Sequence, residues 1–288
     1  MEVINYTPQG KTSLRLPFEE IKLMPLGDIQ AGIEACDLDL LEENVAIGMD
    51  ADSYFIGMGD YLDVASPSNR RIMKSAGFYD SVNEMMDRQM RWEEQELLKI
   101  LAPTKGRWFG MVTGHHWWPY QDGTTSDTNL CRALGATHLG SCGLVTLKFR
   151  DDSGRSTDCT IFAHHGVGSG NGPGAPLLKL KEAMTWAEAD IYLMGHQHKS
   201  VSATQPRFYT IGHKDPLLLA RQRRLVGTGS YLKGYMQGSK VGGIAEGGYV
   251  EKAMMTPVGL GSPLISILPR RIRKDGHDYC ELKMKVTT

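Results

Sequence analysis

RWFGMVTGHH, residues 107–116, is the stretch on which the fold turns. An apolar run stops at a glycine, two histidines follow, and Trp117, Trp118 and Tyr120 come directly after. A short apolar run bounded by turn residues reads as a buried strand. Four more stretches are built alike: IKLMPLGD (21–28), YFIGMGD (54–60), CTIFAHHG (159–166) and DIYLMGHQH (190–198). Between them lie helical patterns. Residues 78–102 place Val82, Met85, Met86, Met90, Leu97, Leu98 and Leu101 at helical spacing, and Pro103 closes the element. Residues 126–134 and 175–188 carry shorter patterns of the same kind. Strand alternating with helix predicts a layered α/β fold.

Beyond residue 200 the character changes. YTIGHKD, LVGTGSYL, GYVEKAMMTPV, SPLISILP and DYCELKMKV read as strands joined by Gly/Pro-rich turns. Residues 201–288 are therefore expected to be β-rich and to complete a second sheet within a single domain spanning 1–288. The length of 288 residues suffices for one large α/β domain or two small ones. A hydrophobic share of 41% and a charged share of 23% are those of an ordinary globular protein. A net charge of -1 supplies no global attraction to nucleic acid or to a membrane surface. No apolar run approaches the roughly 18 to 20 residues that span a bilayer. The opening MEVINYTPQGKTSLRL lacks an apolar signal core. Five scattered cysteines without a CxxC pair suit free thiols in a reducing interior. The expected location is the cytoplasm of a bacterial or phage-infected cell, with no membrane partner.

In open α/β sheets, ligands bind beyond the carboxyl ends of the strands. Here those ends carry Asp28 and Gln30, Asp60 and Asp63, His115 and His116, His164 and His165, and His196 and His198. Imidazole nitrogens and carboxylate oxygens are ligands for divalent metals. Taken singly, a Gly-Asp is a turn or a helix cap, and a His-His pair is one packed and one solvated ring. In Gly-His-Gln-His, alternate residues face the same way and can chelate. Six of the nine histidines fall at these strand ends, and that joint placement points to one metal-binding site.

GDIQ, GDYLD, GHH, AHHG and GHQH, in this order, resemble the calcineurin-like metallophosphoesterases, whose pattern is GDxH, GDxxD, GNH(D/E), H and GHxH. The resemblance covers roughly residues 20–200. IYLMGHQHKS and the later GGYVEKAMMTPVGLGSP are most similar to phage or prophage members, some described as DNA-repair-exonuclease-like. The resemblance implies a four-layer double β-sandwich flanked by helices, holding two divalent metal ions (Mn, Fe or Zn). By motif position, Asp28, Gln30, Asp60 and His198 would hold the first ion. Asp60, His115, one of His164 and His165, and His196 would hold the second, with the preference resting on His164. His116 matches the histidine that protonates the leaving oxygen or steadies the transition state. Asp63 would orient a histidine or a water. The implied activity is hydrolysis of a phosphodiester, in nucleic acid or a nucleotide, by a metal-bridged hydroxide. A phosphomonoesterase and a non-catalytic metal-binding scaffold are the alternatives.

Two positions depart from the pattern. Gln30 stands where the family usually has histidine, and His115 where it usually has asparagine. Either the swap is compensated, with a more oxygen-rich first site and a tighter second one, or the centre has decayed. Trp117 and Trp118 either pack under their loop or stack a substrate base. The glycine-rich GVGSGNGPGAP (166–176) is no P-loop, since no GKS/T follows, and it reads as a rim of the site. RQRR (221–224) and PRRIRK (269–274) read as solvated surface unless they lie near that site. The partner is a phosphoester substrate, nucleic acid among the candidates, and the oligomeric state stays open.

Overall fold

All five apolar runs are strands. The computed structural model describes residues 10–288 except Val64, Arg155, Ser169, Asn171, His213, Ser239, Gly242 and Gly243. Residues 1–9 of the opening stretch, Ser169 and Asn171 of the glycine-rich loop, and His213 of YTIGHKD lie outside the described residues.

The strands are β1 (Gly10–Pro17), β2 (Ile21–Leu26), β3 (Tyr54–Gly57), β4 (Trp108–Val112), β5 (His138–Gly140), β6 (Cys142–Arg150), β7 (Ser156–His164), β8 (Ile191–Met194), β9 (Ser200–Ile211), β10 (Leu217–Thr228), β11 (Lys240–Val241), β12 (Ile244–Ala245), β13 (Leu264–Lys274) and β14 (His277–Thr287). The helices are α1 (Leu38–Asp50), α2 (Pro67–Ala76), α3 (Asp80–Leu101), α4 (Ser126–Leu134), α5 (Ala175–Ala183) and α6 (Tyr249–Lys252). One six-stranded sheet runs β1-β6-β7-β8-β10-β9, and the other runs β14-β13-β2-β3-β4-β5. β11 and β12 form a separate two-stranded ribbon. Neighbours β2, β3, β4 and β5 are parallel, as are β7, β8 and β10.

The layering follows from which face each apolar side chain takes. Leu23, Ile56, Phe109 and Val112 of the second sheet meet Val145, Leu147, Ile161 and Leu193 of the first in a buried core between the sheets. Met24, Leu26, Phe55 and Trp108 point the other way, onto Leu41 and Val45 of α1, Leu97 and Leu101 of α3, and Leu130 and Leu134 of α4. Phe162, Tyr192 and Leu225 carry α5 on the outer face of the first sheet. The result is helix, sheet, sheet, helix, an α/β double sandwich in four layers. Strands buried on both faces need apolar residues at nearly every position, which is why they read as unbroken runs. α4 is fixed at its start by a Thr125–Thr128 capping box and at its end by Gly135 in the left-handed conformation.

The segment after residue 200 is divided between the two sheets instead of completing one. β9 and β10 extend the first sheet, and β13 and β14 extend the second. The strand expected in GYVEKAMMTPV is corrected to the short helix α6, with Lys252 N donating to Gly248 O and Met254 88% exposed beyond it. Among the described residues no helix is long and apolar enough to cross a membrane.

Tyr61 ties the ends of β3 and β4 together: it is fully buried and its hydroxyl donates to Val112 O at 2.8 Å. Tyr61→Phe is expected to lower unfolding free energy by about 1 kcal/mol, read from urea denaturation at unchanged m-value.

Candidate metal centre

Five loops leave the carboxyl ends of β2, β3, β4, β7 and β8; backbone hydrogen bonds tie those after β2 and β3 to each other and to the segment after β10, and the Asp28, Asp60 and His165 side chains tie in the rest. Asp28 N donates to Gly59 O and Gln30 N to Asp60 O, both at 2.9 Å, while Tyr231 N donates to Asp28 O at 3.0 Å. These ties hold an unusual chain path. Asp28, Gln30, Asp60, His196 and His198 all have positive φ, between 47° and 63°. Non-glycine residues reach this left-handed region only when their surroundings over-determine it.

Asp60 is the centre of the arrangement, 2% exposed. Its Oδ1 accepts the backbone N–H of His116 at 2.9 Å and also that of His115. Its Oδ2 faces Nε2 of the equally buried His165 at 3.1 Å. His165 Nδ1 donates to Met58 O at 2.7 Å, which leaves the lone pair of a neutral ring on Nε2. A lone pair and a carboxylate oxygen at that distance repel unless a proton or a cation sits between them. Burial disfavours the proton, but Asp60 and Asp28 outweigh it and push the His165 pKa up to about 9. Burial likewise raises the Asp60 carboxyl, yet His165 and His116 hold it well below the usual carboxylate range. His115 Nδ1 and His196 Nδ1 lie 3.3 Å apart beside this pair. Burial first, then the charge of His165, lowers both rings, His196 to about 4, so both are neutral at pH 7. Asp60, His115, His165 and His196 each offer one ligand atom, all within 4.8 Å of one another. Once His165 gives up its proton, three imidazoles and a carboxylate, with the buried His165 Nε2 turned to Asp60 Oδ2, fit a divalent transition-metal ion.

Next to them stand Asp28, Gln30 and His198. The Asp28 carboxylate is fully buried and accepts the backbone N–H of His196 at 2.8 Å. His198 Nε2 lies 3.4 Å from Asp28 Oδ1 and 3.1 Å from Gln30 Nε2. The three converge beside the four-residue group without joining it. His116 turns to Asp63, with 2.6 Å between Nδ1 and Oδ1, so its Nε2 faces Asp60 Oδ2 at 3.9 Å. Burial lowers the His116 pKa, but Asp63 and Asp60 reverse this and raise it.

Two expectations are corrected. His165, not His164, reaches the cluster. Successive residues at a strand end face opposite ways, so His164 accepts from Gly166 N at 2.8 Å and lines an outer cleft of about 170 Å³ with Phe162 and Trp186. Trp118 is no substrate platform. It is buried with Ala65 and Tyr120, its indole N–H donating to Asp87 Oδ1 at 2.9 Å. Trp117 is half-buried, with the Arg70 guanidinium 4.6 Å over its ring. The basic runs lie away from the centre. Arg224 pairs with Ile191 at the start of β8, and residues 269–274 run on past Ile21 at the start of β2, both at the opposite ends of strands that finish at the site.

Asp127 and Lys199 belong to the site without having been legible in the sequence. Asp127, buried at the first turn of α4, accepts from Gly114 N at 3.3 Å and so supports the backbone that grips Asp60. Burial, and Asp60 close by, push its pKa up to about 7 against that hydrogen bond. Lys199 donates to Gly172 O at 2.8 Å and to Gly170 O, fastening the glycine-rich rim. Only an acidic residue in a helix's first turn pointed to Asp127, and nothing pointed to Lys199.

No protein-family model matches this chain, and no curated protein matches it. Among solved structures it is similar to vacuolar protein sorting 29 from Cryptosporidium parvum, at 13% identity over 93% of this chain and 100% of that one, TM-score 0.38. It is also similar to the calcineurin-like phosphoesterase YfkN from Bacillus subtilis, at 12% identity over 94% and 91%, TM-score 0.28. What the centre can do rests on its own atoms.

His165→Ala is expected to abolish manganese binding, while His164→Ala leaves metal content unchanged, as read by elemental analysis. Because a cation must displace the His165 proton, manganese binding at pH 7 should release about one proton per chain. Affinity should rise about tenfold per pH unit below a pKa of about 9 and level off above it. Calorimetry in buffers of different ionisation enthalpy measures both.

Proposed function

We propose that the protein is a metal-dependent phosphoester hydrolase of the calcineurin-like type, acting on phosphodiesters of nucleic acid or nucleotides. The observation that carries this reading is the Asp60 carboxylate, pinned through one oxygen and opposed through the other to the His165 nitrogen, with the His116–Asp63 pair alongside. Asp60, His115, His165 and His196 would hold one divalent ion, and Asp28, Gln30, His198 and Asp60 a second. Manganese, iron or zinc suits this donor set. Bound ions would offset charge on the phosphoryl oxygens and acidify the attacking water.

The chain's own groups supply the rest. Asp63 fixes the His116 ring through Nδ1, so the proton to be given up sits on Nε2, on the side of the centre. His116 then protonates the departing oxygen as general acid. The loop backbone does the positioning: two N–H groups hold Asp60, and another from His196 holds Asp28. The order of the five motifs and the half-exposed Trp117 support a nucleic-acid or nucleotide diester, and the phage-type resemblance of the later segment points the same way. Five unpaired cysteines support a cytoplasmic setting. The Gln30–His198 contact favours a second reading, a metal-binding scaffold without turnover, because it engages a ring nitrogen that would otherwise face an ion.

With manganese and bis-p-nitrophenyl phosphate, Asp60→Asn should lose both metal and turnover. His116→Ala should keep its metal and lose about 10²–10⁴ in kcat. Asp63 raises the His116 pKa and the acid form is the active one, so activity falls as pH rises through that pKa. Asp63→Asn should therefore shift the alkaline limb of the pH profile to lower pH. Bound metal with no hydrolysis of diesters or monoesters would leave the scaffold reading.

A further inference from the structure

Two arginines stack on aromatic rings around the loop that follows His116, and their circumstances differ. Arg91 lies 4.1 Å over Tyr120 and is neutralised by Asp122 at 2.6 Å, well exposed to solvent. Arg70 lies 4.6 Å over Trp117, and its Nη1 donates to Ala65 O at 2.8 Å. Among the described residues, no carboxylate forms an ion pair with it. A guanidinium carries five N–H donors, so most of its fork is uncommitted.

Its position is set from two sides. Ala65 stands two residues beyond Asp63, and Trp117 directly follows His116, so Arg70 bridges the two loops whose side chains form the His116–Asp63 pair. The helix that carries it is rigidly started, with Ser66 accepting from Asn69 N and Pro67 in the first turn. The Arg70 charge acts on Asp127, Asp60 and His116. A half-buried guanidinium that feels Asp127 and Asp60 without pairing to either keeps its donors free for a visiting anion, whose contact would offset the burial. Arg is suited to phosphate because its planar fork meets two oxygens at once.

We propose that Arg70 is a substrate-contacting residue that grips a non-bridging phosphate oxygen, with Trp117 as the brace that aims it. This rests on the phosphoester reading, and a binding measurement separates the two. The experiment titrates inorganic phosphate into manganese-loaded protein by calorimetry and follows bis-p-nitrophenyl phosphate hydrolysis in parallel. Arg70→Ala should weaken phosphate binding about tenfold or more and lower kcat/KM by about 10- to 10³-fold, with manganese content unchanged. Arg70→Lys should recover only part, since it restores charge without the fork. Arg91→Ala should match the wild type. Should Arg70→Ala fail to fold, Arg70→Gln, which can still donate to Ala65 O, gives the same reading. Phosphate affinity and kcat/KM within about twofold of wild type in a folded Arg70 variant would overturn the proposal, as would a metal-loaded wild type that binds no phosphate. If phosphate binds, weakens in Arg70→Ala, and no ester is hydrolysed by the wild type, the Arg70 assignment stands and the hydrolase reading falls.

Discussion

A buried carboxylate with one oxygen satisfied by backbone N–H groups and the other facing the buried His165 ring nitrogen is the constraint around which this structure is organised. Asp60 cannot relax toward water, because it is buried, and cannot turn away, because the N–H groups of His115 and His116 hold Oδ1. That grip needs the two loops in near contact. A Cβ on Gly114 would lie 2.1 Å from Asp60 N and Oδ1, and one on Gly59 would fall 2.6 Å from the Gly114 Cα. The glycines before Asp60 and His115 are thus required by the approach of one backbone to another. Left-handed backbone at five candidate ligand positions costs of order 1–3 kcal/mol at each, sustained here by the hydrogen bonds between the loops. The energy that could have stabilised the fold is spent in aiming donor atoms.

The two sheets share this end of the molecule. Asp28 and Asp60 leave the second sheet, while His165 and His196 leave the first, and the interactions between them cross the sandwich. The centre is therefore also a clamp between sheets, and the core between them sets its dimensions. Strand alternation then decides which of two adjacent, chemically identical side chains takes part. His165 falls on the inner side with Met58 and Asp60, and His164 falls on the outer side with Phe162. The same logic separates Trp118, sealed beneath the loop, from Trp117, left half-open beneath Arg70.

What could be read from the chain is what has a local signature. Doubly buried strands leave apolar runs, a long amphipathic helix leaves its period, and the five strand ends leave polar residues in matching places. β1, β5, β6, α1 and α2 went unread, for physical reasons that differ. β6 buries one face only and alternates, so it makes no run. α2 is polar over most of its length and buries little, so its period carries no core signal. Within the site, motif spacing named the ligand-type residues but could not say which face a strand-end histidine would take. Asp127 and Arg70 sit in no motif. They matter because a helix start and a helix flank are brought beside Asp60 and His116 by packing, and packing has no spacing in the sequence.

The two departures from the family pattern acquire a physical meaning from this geometry. His115 adds a third imidazole to the group that already has His165, His196 and Asp60, making it compact and rich in strong nitrogen donors. Gln30 leaves the neighbouring group with one carboxylate and one imidazole of its own, and its amide is in contact with that imidazole at 3.1 Å. A neutral amide oxygen is a weaker donor than an imidazole, so the Asp28 side offers the weaker donor set of the two. Asp60 stands between the two groups, and its Oδ2 is the atom nearest His165. An ion on the His165 side would meet four donor atoms within 4.8 Å of one another, two of them on buried residues. On the Asp28 side the Gln30–His198 contact already engages the ring nitrogen that an ion there would need.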